Sequence, residues 1–164
     1  MTPSRAPEET ARTAVPDDLH TLVELARAAI DEKSAQKGGP VWARRERRGD
    51  PLGLSLRTAI DAPDQEVAVG LLDGTVVGYG AARIELLADG GRLGIVDDLF
   101  VDPGCREVGV GEVLMNHLID WCRARGCFGV DSLALPGDRS TKNFFESFGL
   151  VARAIVVHRR LDGD

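Results

Sequence analysis

The sequence lacks the features that mark membrane, secreted, metal-binding and nucleic-acid-binding proteins. In its 164 residues, no apolar run approaches the ~18 residues that a membrane-spanning helix needs. The three cysteines are odd in number and the three histidines are scattered, which argues against a disulfide framework and a zinc site. The net charge of −6 is opposite to the basic excess of a general nucleic-acid binder. We therefore expect a cytoplasmic protein without a metal, a nucleic-acid partner or a membrane association.

The start of the chain also lacks a secretory signal. Residues 1–10 are rich in proline, serine, threonine and glutamate, and they have neither a basic start nor an apolar middle. A chain of ~150 residues buries roughly 70% of its extended surface, which is enough for one core. We expect a flexible tail at residues 1–10, followed by one domain at residues 11–164.

The first half of that domain is mainly helical in pattern. Pro16-Asp17-Asp18 is typical of a helix start, and apolar residues then recur at three- and four-residue steps up to Ile30. Gly38-Gly39-Pro40 ends this helix. Further predicted elements in this half are a strand at residues 11–15 and short helices at residues 42–48 and 52–60.

The second half begins with strands and then alternates helices and strands. Asp73-Gly74 lies between two β-branched segments, which predicts a hairpin. The predicted strands are at residues 67–72, 75–86, 92–101, 128–135 and 151–158. One predicted helix begins near residue 109, and a second spans residues 141–147. The fold class is therefore α/β, with three neighbouring antiparallel strands and flanking helices.

A candidate anion site lies where the third of these strands leads into a helix. The loop is formed by Arg106, Glu107, Val108, Gly109, Val110 and Gly111. Unpaired backbone N–H groups and the helix dipole converge at such a point, and glycines let the backbone approach a phosphate closely. The arginine adds charge-assisted hydrogen bonds. The pattern favours a diphosphate ligand, although a plain strand-to-helix turn is the alternative.

Two common phosphate motifs do not fit this loop. No Lys-Ser or Lys-Thr follows a four-residue gap between glycines, so a P-loop is not supported. Gly109-Val110-Gly111 is followed by no third glycine, and the preceding strands are predicted to be antiparallel, unlike a dinucleotide-binding βαβ unit.

The loop does resemble the acyl-CoA signature of the GNAT superfamily of N-acetyltransferases. In that signature Arg or Gln is followed by any two residues and then by Gly-x-Gly or Gly-x-Ala. Arg106, Gly109 and Gly111 match it, and the segment Asn143-Phe144-Phe145 follows at a suitable distance. The resemblance covers residues 67–160 and implies a twisted, mixed and mainly antiparallel sheet flanked by helices. It also implies acetyl-CoA as cosubstrate and an amine as acceptor.

The resemblance assigns further residues to the coenzyme. It implies that the segment Leu99-Phe100-Val101 holds the pantetheine arm, through backbone groups of Leu99 and Val101, and that the loop at residues 106–111 holds the pyrophosphate. Asn143 falls where this family often places an asparagine that hydrogen-bonds the coenzyme arm. The alternative for Asn143 is an ordinary residue of an early helical turn.

Acetyl transfer to an amine needs a base. An ammonium of pKa ~10.4 is neutral in only about four molecules per ten thousand at pH 7, which represents ~4.6 kcal/mol of the barrier. Asp97 and Asp98 precede the coenzyme segment as in spermidine/spermine N-acetyltransferases, and the resemblance places the base at Asp97. Asp98 is expected to bind the amine or to exchange roles with Asp97. Structural ion pairs are the alternative for both carboxylates.

The sequence departs from the family at Phe145, where many members have a tyrosine that protonates the leaving thiolate. A thiol of pKa ~8.5 leaves as a thiolate near neutral pH at a cost of at most ~2 kcal/mol, so turnover is weakened, not abolished. Water or Ser140 are alternative donors. Phe145 also keeps a second hypothesis open, an acyl-CoA-binding regulatory module without turnover, and a third is a structural partner subunit with a degenerate pocket.

The acceptor and the assembly stay open at this level. A basic run, Arg44-Arg45-Glu46-Arg47-Arg48, lies where the family borders the acceptor, and it is either a solvated helix face or a recognition element for an anion. The acidic pair instead suits a cation. We expect an acceptor that is a primary amine of a small molecule or a protein, and a homodimer is compatible with the sequence.

Overall fold

The computed structural model describes residues 2–163, which form one five-stranded sheet with helices on both faces. The elements in chain order are β1 (Glu9–Thr13), α1 (Leu19–Ser34), α2 (Gly39–Arg45), α3 (Leu52–Asp61), β2 (Gln65–Leu72), β3 (Thr75–Leu86), β4 (Arg92–Val101), α4 (Val110–Ala124), β5 (Gly129–Ser132) and α5 (Arg139–Ser147). The strands lie in the order β1-β2-β3-β4-β5. All neighbours are antiparallel except β4 and β5, which are parallel. The predicted mixed, mainly antiparallel α/β fold is confirmed.

The sheet separates two hydrophobic cores. The core under α1 and α3 contains Leu22, Leu25, Leu56, Val67, Val69, Tyr79 and Phe100, among others. The core under α4 contains Ala68, Ala82, Val96, Leu114, Met115, Leu118 and Cys122, among others. Because side chains of a strand point alternately to its two faces, β2, β3 and β4 contribute to both cores. Their near-continuous apolar sequences follow from this two-sided burial.

Local sequence signals account for several turns and helix ends. Asp73 and Gly74 both have positive φ, at 48° and 79°, as a two-residue hairpin turn requires. Gly126 also has positive φ, at 73°, and the N–H of Cys127 donates to the carbonyl of Cys122 at 3.2 Å, which closes the end of α4. The hairpin turn confirms the sequence prediction. No helix among residues 2–163 is long and apolar enough to cross a membrane.

The helix α4 sits close to the sheet because glycines face it. A Cβ atom on Gly70 would lie 2.6 Å from Val110 and 2.8 Å from Leu114, and one on Gly94 would lie 2.5 Å from the sulfur of Cys122. These distances are too short for any side chain. The glycines of β2 and β4 thus set the depth at which α4, and the loop before it, lies on the sheet.

Several predicted boundaries differ from the structure, among them the bounds of α2, which runs from Gly39 to Arg45. The first strand begins at Glu9, inside the segment expected to be a flexible tail, and β5 ends at Ser132 instead of extending to Leu135. The last predicted strand, at residues 151–158, is wrong: residues 151–161 have no secondary structure and are exposed. A β-branched sequence favours a strand only where a neighbouring strand supplies its hydrogen bonds, and this segment has none beside it in the structure.

Candidate active site

The pairing between the two parallel strands stops part-way along β4, and the site lies beside the unpaired remainder of that strand. β4 and β5 pair from Leu93 and Gly129 to Val96 and Ser132. β5 then ends, whereas β4 continues to Val101. Backbone N–H and C=O groups on this side of β4 therefore have no strand partner within residues 2–163, and they border a cleft of about 550 Å³.

The cleft connects the two places that the sequence singled out. At one end it is lined by Arg106, Gly109 and Gly111, and at the other by Asp97 and Asp98. The predicted segment Leu99-Phe100-Val101 lines the cleft between these ends. The tertiary structure thus brings together the candidate anion site, the open strand edge and both carboxylates.

The loop at residues 106–111, called the phosphate cradle below, can receive an anion. Gly109 has φ of 96° and directly precedes α4, whose first three N–H groups have no partner within the helix. Among the described residues, no backbone carbonyl accepts from the N–H groups of residues 106–112. These donors lie beside the positive end of a 15-residue helix. The cradle can therefore donate several backbone hydrogen bonds to an anion.

Arg106 is held in place at the mouth of the cleft. Its Nε donates to the carbonyl oxygen of Val101 at 2.9 Å, and its guanidinium lies 5.2 Å from the ring centre of Phe100. Its Nη2 donates to both carboxylate oxygens of Glu32 on α1, at 3.1 and 2.9 Å. This ion pair is about 40% exposed on each side, so an incoming phosphate can compete for the arginine.

A β-bulge separates the two carboxylates from the regular strand. Ala81 of β3 pairs with Asp98, and the next residue, Ala82, pairs with Val96. Asp97 is therefore the extra residue, which has no partner on β3. A bulge interrupts the alternation of side chains, so it changes which face of the sheet each carboxylate reaches.

Both carboxylates face the cleft on the side of α1 and α3. Asp98 lies two residues before Phe100, which packs on that side. Asp97 pairs with Arg83 of β3. The neighbours of Arg83 in that strand, Ala82 and Ile84, pack against α4, so the side chain of Arg83 points to the opposite face of the sheet. Simple alternation would have placed Asp97 with Leu99, which packs against α4. The bulge instead turns Asp97 to the opposite face.

Asp98 belongs to a buried ion pair. The Nε of Arg48 donates to Asp98 at 2.7 Å, and its Nη1 donates to the hydroxyl of Ser55 on α3 at 3.1 Å. The side chains of Arg48 and Asp98 are each only 11% exposed. Tyr79, which is 2% exposed, lies beside them, and its burial and the Asp98 carboxylate raise its pKa well above the ordinary value. Asp98 is thus tied to a fixed cation.

Asp97 is in a less restrained environment. Arg83 donates to it at 3.0 Å, but both side chains remain partly exposed, at 42% for Arg83 and 34% for Asp97. Burial raises the pKa of Asp97, the Asp98 carboxylate raises it further, and Arg83 and Arg48 oppose the rise. A carboxylate with a raised pKa is a stronger base than an ordinary aspartate.

The structure adds two cleft residues that sequence reasoning did not select, Lys33 and Trp42. The Nζ of Lys33 lies 5.0 Å from the ring centre of Trp42 and 3.5 Å from the carbonyl oxygen of Leu133. Among the described residues, no carboxylate lies within 4.0 Å of this nitrogen, and burial lowers the pKa of Lys33. A lysine in the last turn of a helix is common, so the sequence held no signal for this position.

The remaining predicted residues occupy varied positions. Val108 is 39% exposed, and Val110, the first residue of α4, is buried between that helix and the sheet. Neither side chain lines the cleft. Asn143 is exposed on α5 and does not line the cleft, whereas Phe145 is buried in its wall. In the basic run, Arg44 and Arg45 are exposed, Arg47 pairs with Asp50, and only Arg48 turns inward. The run therefore mixes solvated and buried residues.

We predict that Arg48→Met lowers the free energy of unfolding by ~3 kcal/mol, because it leaves the Asp98 carboxylate buried without a partner. Arg45→Met is the matched control, since Arg45 is 74% exposed in its ion pair with Glu46 and its loss should cost less than ~1 kcal/mol. Adding Asp98→Asn to Arg48→Met should recover part of the loss by removing the unpaired charge. Urea unfolding measures all three, and equal losses in the two single variants would contradict a buried pair.

The chain is similar to known proteins in both sequence and structure. Over 91 residues, or 54% of the chain, it is 33% identical to glucosamine 6-phosphate N-acetyltransferase of Trypanosoma brucei brucei. Over a stretch of the same length it is 35% identical to glucosamine 6-phosphate N-acetyltransferase 1 of Oryza sativa subsp. japonica. The matches span 58% and 53% of those two proteins, so the chain covers only about half of the curated relatives' length.

A solved structure and a family model cover more of the chain. The aminoglycoside N-acetyltransferase AAC(6')-Iy, solved in complex with CoA, superposes on 99% of the chain and 100% of its own, with a TM-score of 0.75 at 17% sequence identity, which shows a shared fold. The model of the acetyltransferase (GNAT) family matches residues 23–150. With the cleft and its phosphate cradle in place, that match confirms the predicted resemblance: the chain belongs to the acetyltransferase (GNAT) family.

Proposed function

We propose that this protein transfers the acetyl group of acetyl-CoA to a primary amine by direct attack of the amine nitrogen. The observation that carries the proposal is one continuous cleft, which leads from the phosphate cradle along the open edge of β4 to Asp97. An extended coenzyme arm needs a line of backbone partners, and an amine needs a nearby base. Family membership supports acetyl-CoA as the donor.

The residues of the cleft suit each part of the coenzyme. The N–H groups at the start of α4 and the guanidinium of Arg106 would hold the pyrophosphate. Backbone groups of Leu99 and Val101 would bind the pantetheine amides as an additional strand does. The coenzyme supplies the activated acetyl group as a thioester, and the cleft wall at Phe144 and Phe145 would shield it from water.

Proton transfer is assigned to Asp97 and orientation to Asp98. A base must be free to take a proton, and Asp97 has the raised pKa and the more exposed partner. Asp98 is already neutralised by Arg48, so removing its charge would chiefly disturb the position of the neighbouring bulge. The acceptor ammonium would lose its proton to Asp97 directly or through water before the nitrogen attacks the thioester carbon.

The proposed acceptor is an amine that also carries a phosphate, and glucosamine 6-phosphate is the first candidate. Two sequence relatives bear that substrate in their names. Lys33 supports the choice, because it lines the same cleft as the carboxylates and has no carboxylate within ion-pair distance in the described part of the chain. A phosphate on the acceptor would give this lysine a partner. An aminoglycoside, which is strongly cationic, has no such use for Lys33.

Coenzyme binding is tested with Gly111→Leu. A Cβ atom on Gly111 would lie 3.4 Å from Phe144, so a leucine would fill the space where the pyrophosphate must approach the backbone. We expect titration calorimetry to show a loss of affinity for CoA of at least about tenfold, or ~1.4 kcal/mol. Gly104→Leu is the control, since Gly104 is exposed outside the cleft and should bind normally. Unchanged affinity in Gly111→Leu would mean that the cradle does not hold the coenzyme.

Catalysis is tested with Asp97→Asn. The rate of acetylation should fall ~10²–10⁴-fold near neutral pH, with unchanged affinity for CoA, because the base is lost. In the wild type the rate should rise with pH as Asp97 ionises above the usual range of an aspartate, and the variant should lack this rise. The loss should shrink as pH approaches the pKa of the amine, where the nucleophile is already neutral.

Measuring the free energy of unfolding of Asp97→Asn distinguishes a loss of catalysis from a folding defect. Because folding raises the pKa of Asp97, its contribution to stability is highest below the unfolded pKa and declines as pH rises through the folded value. Asp97→Asn should therefore not destabilise the protein at neutral pH. A large loss of turnover in Asp98→Asn, with near-wild-type turnover in Asp97→Asn, would move the base to Asp98. CoA binding without any acetyl transfer by the wild type would instead favour a regulatory module.

Acceptor recognition is tested with Lys33→Met. The KM for glucosamine 6-phosphate should rise about tenfold, equivalent to ~1.4 kcal/mol, whereas the KM for glucosamine should hardly change, because only the first carries the phosphate. Lys37→Met, an exposed lysine beyond the end of α1, should leave both KM values unchanged. Faster turnover of an aminoglycoside, or equal effects of Lys33→Met on both sugars, would exclude the phosphate subsite.

A further inference from the structure

A primary amine of the protein itself lies in the active-site cleft. Only three of the chain's 20 basic residues are lysines, and among the described residues Lys33 is the lysine that lines the cleft. The half-buried side chain of Lys33 extends from α1, with its Nζ 5.0 Å from the ring centre of Trp42 and 3.5 Å from the carbonyl oxygen of Leu133. The amine is therefore held at a defined place beside the end of β5.

Strand pairing shows where in the cleft this amine lies. Ser132 is the last residue of β5 and pairs with Val96, so Leu133 follows at the point where Asp97 begins the unpaired part of β4. The Nζ of Lys33 therefore lies at the end of the cleft opposite to the phosphate cradle. The proposed coenzyme arm follows the open edge of β4 from the cradle toward this end, so its thioester would arrive beside the amine.

The surroundings of Lys33 favour the neutral amine that acetyl transfer needs. Burial lowers the pKa of Lys33, and the carboxylates of Asp98, Asp138 and Glu46 oppose this decrease without cancelling it. An exposed lysine is almost entirely protonated at neutral pH, and each unit by which its pKa falls raises the neutral fraction about tenfold. Position and ionisation thus both make Lys33 a nucleophile for the thioester.

We propose that, when no acceptor is bound, the protein transfers the acetyl group of acetyl-CoA to its own Lys33, an inference that rests on the proposed function. The Lys33 ammonium loses a proton to Asp97 or to water, and the neutral Nζ attacks the thioester carbon. A C–N bond forms, the C–S bond breaks, and the coenzyme leaves as a thiolate that takes up a proton. The products are Nε-acetyl-Lys33 and CoA.

Acetylation of Lys33 changes what the cleft binds. The resulting amide carries no positive charge, so a phosphate on the acceptor loses its cationic partner. The amide is also no longer a nucleophile, so each chain reacts only once at this position. Self-acetylation therefore converts the protein into a form that binds the proposed phosphate-bearing acceptor less tightly.

Mass spectrometry of the protein after incubation with acetyl-CoA, without an acceptor, tests the proposal. The acetyl group should appear on Lys33 at least about tenfold faster than on the exposed Lys37 and Lys142, which measure spontaneous acetylation in the same sample. Excess CoA, which competes for the cleft, should suppress acetylation of Lys33 and not that of the two exposed lysines. Equal acetylation of all three lysines, or acetylation of Lys33 that CoA does not suppress, would overturn the proposal.

Lys33→Arg is the matched variant for the effect on acceptor binding, because arginine keeps the positive charge and stays protonated, so it cannot be acetylated here. After incubation with acetyl-CoA, the KM of the wild type for glucosamine 6-phosphate should rise about tenfold, as in Lys33→Met. The KM of Lys33→Arg should be the same before and after this incubation. An acetylated wild type with an unchanged KM would overturn the effect on acceptor binding.

Turnover of an added amine, measured on the same preparation, separates failure of self-acetylation from failure of the proposed function. Acetylation of an added amine without acetylation of Lys33 would overturn self-acetylation and leave the proposed function intact. Acetylation of Lys33 without transfer to glucosamine 6-phosphate would support self-acetylation and exclude that sugar as the acceptor. Binding of CoA without either reaction would overturn both proposals.

Discussion

The end of the pairing between β4 and β5 after Val96 is the constraint on which the open cleft depends. While two strands run together, their backbone groups satisfy each other, and no ligand can add to them. Where β5 stops, β4 retains a row of free donors and acceptors that ends at the phosphate cradle. The cleft and the open strand edge that borders it follow from this early end of one strand.

The Arg48–Asp98 ion pair gives the two adjacent carboxylates different environments. Because both side chains are only 11% exposed, this pair is costly to break. Arg48 also donates a hydrogen bond to Ser55, which links the pair to α3. One carboxylate is thereby committed to fixing the segment after α2 against the sheet. The bulge leaves the other, Asp97, beside a more exposed arginine with a raised pKa. Two residues of the same type thus acquire different chemistry from their surroundings.

The predictions succeeded where the signal was local. The Asp73-Gly74 hairpin and the glycine-rich loop before α4 each depend on residues within a few positions of one another. They failed where the outcome depended on a distant neighbour. Residues 151–158 have a strand's sequence, but no strand is hydrogen-bonded to their backbone among the described residues. The face that Asp97 occupies likewise depends on a bulge against β3, which alternation along β4 alone does not reveal.

The sequence by itself determined the α/β class, the order of most elements, the family and the location of the phosphate cradle, because backbone conformation and glycine placement are short-range properties. Only the tertiary structure decided that Arg48 pairs with Asp98, that Lys33 enters the cleft and that Asn143 stays outside it. Arg48 and Asp98 are 50 positions apart in the chain, and Lys33 is 100 positions from Leu133, whose carbonyl oxygen it contacts. Which side chains meet across such distances depends on the packing of α1, α2 and α3 on the sheet, and packing is a property of the whole fold.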